Sequence, residues 1–254
     1  MNISTDGVSS FLSIDSPVHK RMHSPSVCSE EYLAVGSWSL SRQLLRAPNG
    51  TRRSPGTLND ASASTSDLRQ RIDLRQSKSH WSLRTKLRRG LWNAVWHVLF
   101  RPTPKRLCNP WRVWLLILFG ADVDGDVLVL GSCKILQPWK LRLGDGAALG
   151  AESEIYNYAP VSIGAMTVIS QYSYLCTGTH DYTHPHMPLT WAPIHIGPEC
   201  WIAADVFIAP GVSIGRGTVV GARSVVTHDL PEWSVCAGNP CKVLKTRVVS
   251  SLPK

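Results

Sequence analysis

No apolar run in the sequence exceeds seven residues; the longest is Val113–Phe119, VWLLILF. A helix needs roughly 20 such residues to cross a bilayer, so no membrane-spanning segment is expected. The opening stretch, MNISTDGVSSFLSIDSPVHKRMHS, lacks the charged start and apolar core of a signal peptide, which argues against secretion by that route. Cys-x-x-Cys pairs are also missing. The seven cysteines (28, 108, 133, 176, 200, 236 and 241) are odd in number and scattered, which argues against a disulfide framework and a zinc ribbon and points to a reducing, cytoplasmic setting. Acidic residues are scarce in one region: Arg69–Arg112 holds twelve Lys and Arg against Asp73 alone. Residues 126–254 carry nine basic and nine acidic residues, so the formal net charge of +9 resides entirely in residues 1–125.

The first 78 residues contain 16 serines and no sustained apolar periodicity. Such a segment buries too little surface to offset its chain entropy, and it reads as a disordered leader. Residues 79–125 read as a helical, Trp-rich basic segment. Leu83, Leu87, Leu91, Val95 and Leu99 recur every four positions, the spacing of one helix face, and Pro102 and Pro104 end the pattern. Five of the ten tryptophans lie between 81 and 114. Tryptophan beside cations suits peripheral contact with the inner face of a membrane through residues 81–119. The plainer reading packs these helices on the end of the following domain with their charges in water. No nucleic-acid-binding motif accompanies the charge, so nucleic acid is not expected as a partner.

From Ile196 the chain reads IGPECW IAADVF IAPGVS IGRGTV VGARSV VTHDLP, hexads opened by Ile196, Ile202, Ile208, Ile214, Val220 and Val226. A small residue takes the second place in all but the last. The same phase runs through Leu143, Leu149 and Ile155, and, after a two-residue insertion, through Ile163, Ile169 and Leu175. Each hexad can form one side of a triangular coil with its aliphatic residue inward, three hexads to a turn. The expected fold is therefore mainly β, a parallel β-helix over 126–232, followed by a C-terminal tail at 233–254. Periodicity leaves the hand of the coil open. Between Leu175 and Ile196 the phase breaks, so residues 177–193 must leave the coil as a loop, where function concentrates.

YNYAPVSIG (156–164), ISQYSYLCTGTHDY (169–182), WIAADVFIAPGVSIG (201–215), VVGARSVV (219–226) and GNPCKVLK (238–245) resemble the hexapeptide-repeat O-acetyltransferases, in particular the branch for colanic acid and other exopolysaccharide biosynthesis. Galactoside, maltose and nodulation-factor acetyltransferases are more distant relatives. The resemblance implies a left-handed β-helix, a homotrimer, active sites between neighbouring subunits, acetyl-CoA as co-substrate, no metal, and a sugar or glycan acceptor. It assigns His180 as the catalytic base, and imidazole suits that task because it takes a proton near neutral pH. Asn157 matches a substrate-contacting asparagine; a corner residue of the coil is the alternative. Asp181 is a second substrate-side candidate, able to orient His180 or to bind the acceptor. For the cofactor the resemblance points to Trp201, Ala204, Ala222, Thr227, Lys242 and Lys245, with Ala204 acting through its backbone N–H and the lysines meeting phosphate. His228 stands where many relatives have lysine, which puts a phosphate contact there in doubt.

The expected mechanism is direct transfer without an acyl-enzyme; Cys176 falls at the small corner position of its hexad and reads as structural. Two rival readings are weaker. A metalloenzyme like the γ-carbonic anhydrases would draw on His180, His184, His186 and His195, but three of these sit in one seven-residue loop, whereas metal ligands need rigid placement. A non-catalytic, membrane-docked β-helix scaffold would not be expected to retain the THDY loop.

Overall fold

The computed structural model describes residues 72–74, 81–104 and 107–250. The chain from Asp122 to Ala237 winds as a parallel β-solenoid whose strands visit three sheets in rotation. The first sheet holds Asp122–Val123, Leu141–Leu143, Val161–Ile163, Ile194–Ile196 and Ser213–Ile214. The second holds Leu128–Val129, Ala148–Leu149, Val168–Ile169, Trp201–Ile202, Val219–Val220 and Ser234–Ala237, with Lys242–Thr246 folding back antiparallel on its last strand. The third holds Lys134–Ile135, Glu154–Tyr156, Tyr174–Cys176, Phe207–Ile208 and Val225–Val226. Strands thus begin a few residues before 126 and continue past 232, where the aliphatic spacing no longer marks them.

Register records the length of each turn. Asp122 pairs with Arg142 and Arg142 with Ser162, 20 positions on each time; Ser162 pairs with His195, 33 on, and His195 with Ser213, 18 on. Fifteen residues beyond a minimal turn therefore leave the coil between Cys176 and Ile194. The hexad residues point inward as their spacing predicts: Leu143, Ile155, Ile169, Leu175, Ile202, Ile208, Val220 and Val226 are fully buried in one continuous core. Each such side chain contributes about 1.5–3 kcal/mol of burial.

Two features explain the rest of the hexad. Its second place is small because the next turn lies directly over it: a Cβ on Gly164 would stand 2.4 Å from the nitrogen of Pro198 and 2.6 Å from the carbonyl carbon of Gly197. Its fourth place is left-handed. Gly146, Glu152, Met166, Tyr172, Glu199, Asp205, Gly211, Gly217 and Arg223 all have positive φ, and six of these nine are not glycine. L-residues bear a cost of roughly 1 kcal/mol there, which the stacked turns impose at every ordinary corner.

The helical segment forms α1 (Leu83–Val95), a π-helical turn (Trp96–Phe100) and α2 (Asn109–Leu118). Ser82 caps α1 by accepting from the Thr85 N–H at 3.2 Å. The leucine stripe is not the buried face of this segment. Trp92, Trp96 and Phe100 are buried, whereas Leu83, Leu87, Leu91 and Leu99 are exposed. Both sets recur every four residues, so spacing could not choose between them. Indole decided it: Trp92 and Trp96 fill the open end of the solenoid and donate their Nε1–H to the carbonyls of Ile135 and Cys133 at 2.6 and 2.9 Å. Arg112, fully buried, donates to Val129 O at 2.7 Å and also bonds Thr103 and Pro104. Among the described residues no helix is long and apolar enough to cross a membrane. The leader lies outside the described residues except for Ile72–Leu74, which sits against the ejected loop: Asp73 N–H donates to Pro185 O at 3.1 Å and His186 Nδ1 donates to Asp73 O at 2.9 Å.

Candidate active site

The ejected segment is a hairpin. Gly178–His180 pairs antiparallel with Leu189–Trp191, His180 opposite Leu189. This ladder places the imidazole over the returning chain, and His180 Nδ1 lies 2.6 Å from Met187 O. A carbonyl can only accept, so Nδ1 carries a proton; in the neutral ring Nε2 then keeps its lone pair, the tautomer a general base requires. Asp181, one residue on, does not reach the imidazole in this arrangement. Its Oδ1 accepts from the Thr183 hydroxyl and N–H at 2.5 and 3.0 Å. Those two bonds, the hydroxyl first, hold its carboxyl below the usual range. It shapes the turn at the hairpin's far side.

Asn157 lies one turn below Thr177, at the corner from which the hairpin departs, but it faces inward. Its carboxamide is fully buried; Oδ1 accepts from Gln137 N–H at 2.9 Å and Nδ2 donates to Gln137 O at 2.8 Å. Each polar atom of the side chain thus bonds the backbone of the preceding turn, the arrangement of the corner residue that was the alternative to a substrate contact. Its φ is not positive, so the left-handed tolerance of asparagine is not the reason for its presence. Cys176 is buried as well, with Sγ donating to Gly178 O at 3.1 Å, and burial pushes its thiol up, away from the thiolate a nucleophile needs.

The cofactor candidates are spread over the second and third sheets. Ala204 and Ala222, one turn apart, line a surface pocket of about 420 Å³ with Tyr172, Asp205 and Arg223. Ala204 O accepts from Arg223 N–H at 2.9 Å; among the described residues its own N–H has no partner. Trp201 is half exposed and donates Nε1–H to Ser170 Oγ at 3.1 Å. Thr227 Oγ1 lies 2.8 Å from His228 Nδ1, so these two side chains satisfy each other. Lys242 and Lys245 stand exposed on the antiparallel C-terminal strand.

Strand order puts these groups at different corners. Tyr172, Ala204 and Ala222 follow strands of the second sheet and precede strands of the third, whereas Asn157, the hairpin and Thr227 follow strands of the third. His180 and the Ala204–Ala222 pocket therefore flank the third sheet from opposite edges. A larger hollow of about 530 Å³ on the first sheet, where Ser162 Oγ meets His195 Nδ1 at 2.8 Å, holds none of the candidates. Among the described residues no group of three or more His, Cys, Asp or Glu side chains could hold a metal ion.

Residues 193–228 match the family model for the bacterial transferase hexapeptide (six repeats). WcaF of Escherichia coli (strain K12), provisionally named a colanic acid biosynthesis acetyltransferase, is 51% identical over 158 residues, 62% of this chain and 86% of WcaF. The chain belongs to the hexapeptide-repeat acetyltransferases. Among solved structures, galactoside acetyltransferase in complex with coenzyme A superposes with a TM-score of 0.61 at 25% identity, over 68% of this chain and 88% of that one. The hexapeptide-repeat acetyltransferase VCA0836 of Vibrio cholerae, solved with acetyl-CoA, superposes with a TM-score of 0.60 over 67% of this chain and 93% of that one; at 24% identity it speaks for the fold alone.

Beside His180 this hexapeptide-repeat acetyltransferase carries a cluster of aromatic side chains that sequence reasoning passed over. Trp81, Tyr158, Tyr156, Tyr174 and Phe207 form a continuous row with successive ring centroids 4.7–5.9 Å apart. A Cβ on Gly178, two residues before His180, would meet Tyr158 at 3.1 Å. Tyr174 and Phe207 are neighbours by register, 33 positions apart. The available signal was that both occupy the place before the inward aliphatic residue of their hexad.

Proposed function

We propose that the chain transfers the acetyl group of acetyl-CoA to a sugar hydroxyl in the assembly of an exopolysaccharide or other cell-surface glycan, directly and with His180 as general base. The observation that carries this is the His180 Nδ1 to Met187 O hydrogen bond, which leaves Nε2 as the acceptor. In that reading Nε2 takes the proton from the sugar hydroxyl as its oxygen forms a bond to the thioester carbon. The carbon–sulfur bond then breaks, and the departing CoA thiolate takes the proton from Nε2. The Ala204 N–H supports the carbonyl oxygen while it bears negative charge, the effect that preorganised backbone donors supply in acyl transfer. Lys242 and Lys245 meet the CoA phosphates as point charges. The aromatic row supplies flat apolar faces on the acceptor side.

The working unit is a homotrimer, because within one chain the base and the Ala204–Ala222 pocket lie on opposite edges of one sheet. A neighbouring copy related by a threefold axis can bring the hairpin of one subunit to the pocket of the next.

The test is CoA thiol release over a panel of mono- and oligosaccharides, with His180→Ala alongside. Transfer falls at least about 100-fold in the variant while acetyl-CoA binding persists; retention of activity removes His180 from the mechanism. Mixed trimers test the assembly. Coexpressing His180→Ala with Ala222→Arg, each inactive alone, restores about a quarter of wild-type activity if every site draws on two subunits. A mixture as inactive as its components places each site within one chain.

A further inference from the structure

Packing of the helical segment leaves a second apolar face unused. On α1 and the π turn, Leu83, Leu87, Leu91 and Val98 are 60–78% exposed, while the opposite side is already occupied by Trp92, Trp96 and Phe100. On α2, Trp111, Trp114, Ile117 and Leu118 are 41–61% exposed, while Leu115 and Leu116 face the core. The two stripes are joined. Trp111 donates its Nε1–H to Leu99 O at 2.9 Å and stacks on Trp114 with centroids 5.0 Å apart. Both helices therefore present leucine and indole outward together, with the Trp111 polar atom already satisfied by protein.

The charge around this face is of one sign. Residues 81–119 contain eight Lys and Arg and no Asp or Glu. Arg112 is buried; Arg88, Arg89 and Arg101 lie over Trp139, Trp81 and Trp96 at 4.1, 4.9 and 5.4 Å, with Arg88 also donating to Phe119 O at 2.9 Å; Arg84 and Lys86 are exposed. An apolar stripe edged only by cations matches the interfacial region of an anionic membrane, where acyl chains receive the apolar side chains and headgroup phosphates receive the cations. The same face set against itself in a second copy would crowd like charges together.

We propose that this face, formed by α1, the π turn and α2, seats the protein on an anionic phospholipid bilayer. The seat is close to His180: Trp81, two residues before α1, packs 5.0 Å from Tyr158, which flanks the hairpin at Gly178. A glycan carried on a lipid would be presented at that level, so the acceptor class that fits is a lipid-linked saccharide. That consequence rests on the acetyl-transfer reading, whereas the docking does not.

The test is flotation of the full chain with vesicles of phosphatidylcholine alone and of phosphatidylcholine with about 30% phosphatidylglycerol. The wild type floats with the anionic vesicles at least tenfold more than with the neutral ones, and about 0.5 M salt weakens the association. Leu87→Glu with Trp114→Glu, both exposed, abolishes flotation, while thiol release with a soluble acceptor and the unfolding temperature stay at wild-type values. A milder Arg84→Glu, Lys86→Glu pair lowers flotation to anionic vesicles and leaves the apolar stripe intact. The proposal is overturned if the wild type does not float with anionic vesicles, or if the double variant floats equally well. It is also overturned if the double variant dissociates an assembly formed by the wild type, since a second copy then covers the face. Loss of acetyl transfer in the wild type on every acceptor would sink the acetyl-transfer reading and leave flotation unaffected.

Discussion

Gly164→Ala is the substitution whose cost can be worked most directly from the structure. The added Cβ would lie 2.4, 2.6 and 2.7 Å from the Pro198 nitrogen, the Gly197 carbonyl carbon and the Pro198 Cα. Real Cβ contacts do not come closer than about 3.0 Å, and all three atoms are backbone of the next turn, so the turns must separate by roughly half an ångström along one corner. Overpacking of this kind costs about 1–3 kcal/mol, against which the loss of glycine's unfolded-state freedom returns roughly 0.4–1 kcal/mol. The net destabilisation is about 1–2 kcal/mol, a fall in Tm of about 2–8 °C for a domain of this size. Gly90→Ala is the matched control, since it lies inside α1 with nothing within 4 Å of the new Cβ. It gains helix propensity of about 1 kcal/mol and raises the Tm. Circular dichroism melts of both variants decide the matter. Gly197 and Pro198 belong to the first corner after the hairpin re-enters the coil, so if His180 on the hairpin is the base, transfer falls by more than the loss of folded protein. A Gly164→Ala protein as stable as wild type would refute the claim that stacked backbone keeps the second hexad place small.

Other outcomes follow from the same geometry. Asn157→Ala strands the N–H of Gln137 in the interior, at about 1–3 kcal/mol, while Gln137 O keeps the Lys140 N–H at 3.0 Å; denaturant unfolding shows the loss, and the KM for acceptor in the folded fraction stays unchanged, whereas a selective rise in KM would show a substrate contact. Glu152→Gly relieves a φ of 54°, a gain of about 1–2 kcal/mol that the unfolded-state freedom of glycine cuts by about 0.4–1 kcal/mol, so stability rises by less than about 1.5 kcal/mol in the same assay. Alkylation of the native protein at pH 8 leaves Cys133, Cys176, Cys200 and Cys236 unmodified, since all four are buried. Burial also pushes Cys133 up to about 12. Peptide mapping after denaturation recovers the four as free thiols.

The repeat was legible in the sequence because the physics that builds it is local and periodic. An inward aliphatic residue every six positions needs no knowledge of distant chain, so the core from Leu143 to Val226 and the ejected segment could be read directly. The departures came where two local patterns were equally good or where a partner was far away in sequence. Leu83, Leu87 and Leu91 and the set Trp92, Trp96 and Phe100 share one period, and only the open end of the solenoid, with carbonyls of Cys133 and Ile135 awaiting donors, selects the indoles. Asn157 reads equally as an outward sugar contact or an inward corner until the Gln137 backbone, 20 positions earlier, is laid beneath it. The left-handed corners at Glu152, Met166, Tyr172 and Arg223 carry no glycine to announce them, because the stacking of whole turns imposes a conformation that those residues would not choose. What the sequence by itself determined was the coil, its interruption and the histidine placed there. Tertiary structure decided which helix face is spent on the core and which is left exposed, and which imidazole nitrogen faces the Met187 carbonyl, because both depend on groups that only folding brings together.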